Sequence, residues 1–318
     1  MTAMRARLLG ISTGLAAATG LPAAVAAHGF NQPAPTFPAT LLDWSLQPLP
    51  IAGVLVAAVA YLWAERRVAR RHPANRPPTR RRWLFLGGMV AILVALVSPI
   101  DAYEGALFSV HMVQHMLLEL VAAPLIVLSA PITLALRAAS PGMRRGLLAV
   151  LHSVTVRWLA FPLVTWFLFA AVNWGWHFSS WYNVALENAF VHDIEHLCFL
   201  GAAMLFWWPV IGPDPQPWRM PHPVRLLYLF LAMPQNSFLG VALLSSDHVL
   251  YLHYLTNHLS WAPNPLDDQQ LGGVLMWVFG DIVFLTAMLG LVADWMRYED
   301  RKTARLDARL DAELDGRD

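Results

Sequence analysis

His111-Met-Val-Gln-His115-Met-Leu-Leu-Glu119 opens an apolar run that continues to Leu136. At 3.6 residues per turn, side chains four apart share a helix face, so His111, His115 and Glu119 form one polar stripe with Gln114 beside it. A second stretch, His192-Asp-Ile-Glu195-His196, opens the apolar run to Val210 and again sets two histidines four apart. Apolar runs of about 20 residues read as membrane spans. Ionisable stripes inside a span are costly and mark function. These two stretches therefore decide the fold class and locate the candidate site.

Composition agrees with that reading. The chain has 318 residues, of which 57% are hydrophobic and 14% charged, and its mean hydropathy is +0.47. A soluble domain carries about 25% charged residues. Long apolar runs recur throughout, so the fold class is all-α, a polytopic membrane protein. The 14 Trp and 23 Pro fit interfacial belts and kinked spans. The charges are segregated rather than balanced, and the arginines gather in loops, where orientation explains them and nucleic-acid binding does not. Cys198 is the single cysteine, so no intrachain disulfide and no Cys-x-x-Cys motif exists. Metal chemistry must rest on His, Met and carboxylates.

Residues 1–27 read as a signal peptide or signal anchor. Arg5 and Arg7 precede an apolar core from Leu8 to Leu21, followed by the small-residue stretch Ala24-Val25-Ala26-Ala27. Cleavage after Ala27 would expose His28, either a chelating N-terminus or an incidental residue. Residues 28–43 form a Pro-rich external segment. Residues 44–298 form the membrane domain, with seven spans expected near 44–64, 83–100, 105–136, 156–175, 188–211, 224–245 and 271–296. Pro124 and Pro131 should kink or end the long third run. The charged tail, 299–318, carries Leu306, Leu310 and Leu314 at four-residue spacing. It reads as a short surface helix or as disorder.

Arginine sets the orientation. Arg66, Arg67, Arg70, Arg71, Arg76, Arg80, Arg81 and Arg82 follow the first span. Further basic residues occupy 137–157, 212–225 and the tail, whereas 99–104, 176–187 and 246–270 contain no Lys or Arg. The positive-inside rule then places the N-terminus outside and the C-terminus inside. This topology puts His72, His152 and His222 inside. His28, His111, His115, His177, His192, His196, His248, His253 and His258 lie outside or at external helix ends. His111 and His192 sit about 6–9 Å below their helix starts, and His115 and His196 one turn deeper. His177 ends the fourth span on the same side.

Three helices can thus bring five imidazoles to one level. Neutral imidazole suits Cu, Zn, Fe and Ni, and two His-x-x-x-His pairs supply four ligands. For a single histidine, an interfacial residue bonded to backbone or headgroup is the simpler explanation; two pairs at matched depth favour a metal or haem. Met112 and Met116 offer thioethers suited to Cu(I), but they point about 100° from the histidines and read as core. His192-x-x-Glu195-His196 also matches the inverted zinc-protease pattern, which needs a cleft and a third ligand. Glu195 can instead orient a ligand histidine. Glu119 and Asp281 lie near mid-membrane, as a proton or ion path or as interhelical hydrogen-bonding groups joined to Gln235 or Asn236. The His- and Tyr-rich loop 248–258 is a candidate lid or partner contact.

In order along the chain, His111-Met-Val-Gln-His115 with Pro124 and Pro131, Trp174-Gly-Trp-His177 and His192-Asp-Ile-Glu-His196 make a set. Phe206-Trp-Trp-Pro209 and Asp268-Gln-Gln-Leu-Gly-Gly-Val-Leu-Met-Trp277 extend it. The set resembles the multi-pass CtaG-type cytochrome c oxidase assembly factors over roughly 105–280. The resemblance implies a non-enzymatic protein of the bacterial inner membrane that delivers copper to the catalytic subunit of a haem–copper oxidase, with periplasmic copper chaperones as further partners. It places His111, His115, His177, His192 and His196 among the candidate functional residues, which the spacing argument makes the metal candidates; the residues themselves add Glu119, Glu195 and Asp281 as supporting groups. Two other functions stay open on the residues: a haem b-binding oxidoreductase, and a metal or proton transporter.

Overall fold

The structure is a computed structural model that describes residues 32–315. The expected signal segment at 1–27, His28 and the last three residues of the tail lie outside the described residues. After a 3₁₀ turn at Ala39–Leu42 come α1 (Pro48–Arg71), α2 (Thr79–Val97), α3 (Pro99–Tyr103), α4 (Phe108–Met116), a π turn (Leu117–Ala122), α5 (Ala123–Leu128) and α6 (Pro131–Ala138). Then follow α7 (Pro141–Leu151), α8 (Val154–Leu159), α9 (Pro162–His177), α10 (Trp181–Glu187), α11 (Ala189–Ile211), α12 (His222–Leu244), α13 (Leu252–Thr256) and α14 (Pro265–Asp315). No strand occurs among the described residues.

Local chemistry explains the breaks. Pro48, Pro99, Pro131, Pro141, Pro162 and Pro265 each open a helix, where a missing N–H leaves nothing unbonded. Ser98, Ser140, Ser153 and Asn188 cap first turns with their side chains. The third expected run is interrupted twice. Pro124 cannot donate to the carbonyl four residues earlier, and the chain there widens into the π turn. At Ala130 the backbone turns left-handed, with φ 57°, and Pro131 begins α6. The exposed N–H groups of Ile132 and Thr133 donate to the Asp214 carboxylate at 3.0 and 2.7 Å.

Six helical stretches are long and apolar enough to cross a membrane: Pro48–Arg71, Thr79–Tyr103, Phe108–Ala138, Ala189–Ile211, His222–Leu244 and Pro265–Ala308. The expected fourth span, near 156–175, is not among them: it is divided at Phe161 into α8 and α9, and α9 has 16 residues. Outward faces are apolar; Phe238 and Leu289 are 64% and 70% exposed. The tail continues as helix to Asp315.

The α4–π–α5 column stands between two apolar clusters. On one side Tyr61, Phe85 and Ile92 of α1 and α2 pack with Leu118. On the other, Phe108, Met112, Phe206 and Phe284 join α4 to α11 and α14. Glycine sets how closely α14 approaches. A Cβ on Gly272 would meet the Phe108 ring at 2.5 Å, and one on Gly273 would meet the Gly240 carbonyl at 2.6 Å. One Gly pair thus lets α14 touch α4 and α12 at the same level. Asp268, one turn earlier, accepts from the Ser109 N–H at 3.3 Å and its hydroxyl at 2.5 Å, which fixes α14 against the start of α4.

Candidate metal centre

Helical spacing delivers the two histidine pairs, and packing of α11 along the π turn and α5, which continue α4, brings them together. His111 Nε2 and His115 Nε2 are 2.8 Å apart. The His192 and His196 rings are 4.1 Å apart, His111 stands 5.2 Å from His192, and His115 stands 5.8 Å from His196. Two sets of three residues place one potential ligand atom each within 4.8 Å of one another: His111, His192 and His196, and His111, His115 and Glu195. The sets share His111, and all five residues are buried.

Glu195 stands within the cluster itself, in one set with His111 and His115. Its side chain is fully buried, and neither carboxylate oxygen accepts a hydrogen bond from any described residue. A carboxylate in that condition is expensive unless a cation or a proton neutralises it. His115 Nδ1 is likewise unbonded. Metal–nitrogen bonds of about 2.0–2.1 Å hold two ligands roughly 3 Å apart. The His111–His115 separation is already at that value, and the wider distances within each set need modest closure.

The surrounding groups fix the ring nitrogens. Glu104 Oε2 lies 3.1 Å from His111 Nδ1 and 3.8 Å from His192 Nε2. The Tyr254 hydroxyl lies 3.3 Å from His111 Nδ1 and donates to the Glu104 carbonyl at 3.0 Å. Burial, reinforced by Glu104, pushes the Tyr254 phenol well above its ordinary range, so it remains a neutral donor. Because Tyr254 donates to the Glu104 carbonyl, its oxygen accepts from His111 Nδ1–H, and His111 presents the Nε2 lone pair inward. His196 Nε2 donates to the Gln114 amide oxygen at 3.1 Å. Gln114 in turn donates to the Ala95 carbonyl at 3.0 Å.

His177 lies outside both triads, its ring 6.3 Å from that of His115. Its Nδ1 donates to the Asn173 carbonyl at 2.7 Å, so the Nε2 lone pair faces Met112 Sδ at 3.3 Å. Met112, read from sequence as core, does pack there, and it also turns its sulfur to this histidine. Glu119 joins the same chain: Asn173 Nδ2 donates to its carboxylate at 2.9 Å. Asp281 is elsewhere. Both its oxygens lie 3.1 Å from the Ser237 hydroxyl, whereas Gln235 bonds Trp174 and Asn236 bonds the Met276 carbonyl. The 248–258 loop closes over the centre. Tyr251 donates to the His177 carbonyl at 3.2 Å, and His253 bonds the Gly105 carbonyl at 3.0 Å. Sequence reasoning missed Glu104 and Tyr254. The available signal was a carboxylate seven residues before His111 in a loop without basic residues.

Residues 59–298 match the family described as cytochrome c oxidase caa3 assembly factor, Caa3_CtaG. The chain belongs to this family. All five candidate histidines of this CtaG-type protein, with Glu104 and Glu195, fall inside the matched region. An uncharacterized protein of Mycobacterium bovis is 33% identical over 288 residues, covering 88% of this chain and 43% of that protein. A Mycobacterium leprae protein, also uncharacterized, is 31% identical over 272 residues, covering 83% of this chain and 41% of its own. The CtaG-type chain therefore spans less than half the length of these relatives. No solved structure matches it.

Proposed function

We propose that this CtaG-type protein holds copper in the buried cluster of His111, His115, His192, Glu195 and His196 and hands it to the catalytic subunit of a haem–copper oxidase. The observation that carries this reading is the pair of triads sharing His111, with a fully buried Glu195 carboxylate that no described residue satisfies. Imidazole accommodates copper and zinc alike; the Met112 thioether facing the His177 lone pair adds the soft donor set that suits Cu(I). Transfer proceeds by ligand exchange, with His177 and Met112 as the second station beside His115. The function is non-catalytic: the copper is cargo.

The arginine-rich loops support an orientation with the cluster on the periplasmic side of the inner membrane. In this topology α9 is the fourth crossing and brings the total to seven. Its 16 residues extend about 24 Å, and its last residue, His177, reaches the level of His115.

The close ring packing favours a single ion over haem. Axial histidines on haem iron stand on opposite faces of a macrocycle, whereas these rings contact one another directly.

The test is the double variant His111→Ala with His115→Ala. Purified wild type loaded under reducing conditions should carry copper by elemental analysis without a Soret band, and the variant should carry none. Cells with only the variant should assemble copper-deficient oxidase. Normal oxidase copper in those cells would overturn the proposal, and a Soret band would return it to haem.

A further inference from the structure

At the opposite end of the bundle a cavity of ≈ 990 Å³ opens between α2 and α14, floored by α5 and α11. It is separate from the histidine centre. On α14 its wall is one helical face, from Val283 through Ala287 and Gly290 to Asp294. Eleven residues of helix rise about 16 Å, close to the roughly 15 Å of hydrocarbon in one leaflet. The inner end, at Pro124, Trp207 and Val283, is apolar.

The mouth is charged. Arg80, in the first turn of α2, and Arg225, in the first turn of α12, both line it. Asp294 shares the mouth, but its carboxylate lies 3.4 Å from His222 Nε2. Two guanidiniums against one carboxylate leave the mouth positive, and neither arginine forms an ion pair within 4.0 Å among the described residues. Arg225 Nε donates to the Met220 carbonyl at 2.9 Å, which anchors the side chain while its terminal nitrogens remain available. An apolar slot one leaflet deep, with two guanidiniums at headgroup level, matches an amphiphile with an anionic head and hydrocarbon tail. Basic pockets between helices at a membrane surface bind such headgroups.

We propose that this cleft binds an anionic phospholipid, its phosphate held between Arg80 and Arg225 and an acyl chain laid along Trp207, Ala287 and Gly290. The lipid completes the packing between α2 and α14 where the protein's own side chains leave a gap.

Full-length protein in micelles doped with phosphatidylglycerol or phosphatidylcholine tests this by native mass spectrometry and by the shift in unfolding temperature. Phosphatidylglycerol should be retained about 10-fold more strongly, and the variant R80Q/R225Q should remove that preference. A Cβ on Gly290 meets nothing within 4 Å, so G290W places its indole in the cleft and should abolish retention while the helical circular dichroism persists. R80Q/R225Q acts at the mouth and carries the test alone if G290W does not fold. Equal retention of the two lipids, or an undiminished preference in R80Q/R225Q, would overturn the proposal. So would inorganic phosphate reproducing the whole thermal shift.

Discussion

The two ends of the central column solve opposite problems. At the histidine end, α4, α9 and α11 converge, and His111, Glu104 and Glu195 are 0%, 2% and 0% exposed beneath the Tyr251–Tyr254 loop. At the arginine end, α2 and α14 separate and a cleft remains. The difference follows from how each polar group reaches water. Short imidazole and carboxylate groups fixed inside a span cannot, so they gather in one cluster and the helices close around them. Arginine reaches the interface with its long side chain, so its end of the bundle has no need to close. A tight end and an open end therefore come from the reach of the side chains as much as from helix packing.

Three substitutions would break or sharpen this contrast. Glu195→Gln removes the carboxylate from the set it forms with His111 and His115, and on the proposed function it should weaken copper binding about 100-fold in a chelator competition, with the helical spectrum unchanged. An unchanged affinity would make Glu195 a structural acid and the tight end merely well packed. Glu104→Gln leaves the ligands in place but loosens the His111 tautomer, so the same titration should show about 10-fold. A loss as large as that of Glu195→Gln would mean that Glu104 itself ligates. The smallest effect belongs to Gly290→Trp at the far end, which should change copper affinity by less than about 2-fold because the sites share no residue. A larger change would show that cleft and metal centre are coupled through the π turn, where Trp207 Nε1 donates to the Glu119 carbonyl at 2.9 Å.

Legibility followed the range of the interaction. The pairs His111/His115 and His192/His196 were visible because four-residue spacing is a local rule. Their shared depth was visible because both sit a few residues inside apolar runs. Glu119 reads as a member of the same stripe only if the α-helix continues. The π turn changes the angular step below His115, and Glu119 bonds Asn173 of α9. The Asp281 partner was missed for a related reason. The sequence offers three adjacent polar residues after Pro234, and only the rotation of α12 against α14 selects Ser237. The Asp268–Gly273 motif was recognisable as a pattern, but its work is tertiary, since the glycines matter for what stands opposite them.

The sequence by itself determined the fold class, the apolar runs and the histidine spacing. Hydrophobicity and helical period act over a few residues, and arginine distribution along the chain needs no folded partner to be read. Tertiary structure decided the rest. It brought Glu195 within reach of His111 and His115, set Glu104 and Tyr254, distant in sequence from each other, beside His111, and split the expected fourth span at Phe161. It also opened the cleft between α2 and α14. Each of these depends on how helices distant in sequence rotate and approach, and that is set by packing and by the need to satisfy buried polar groups.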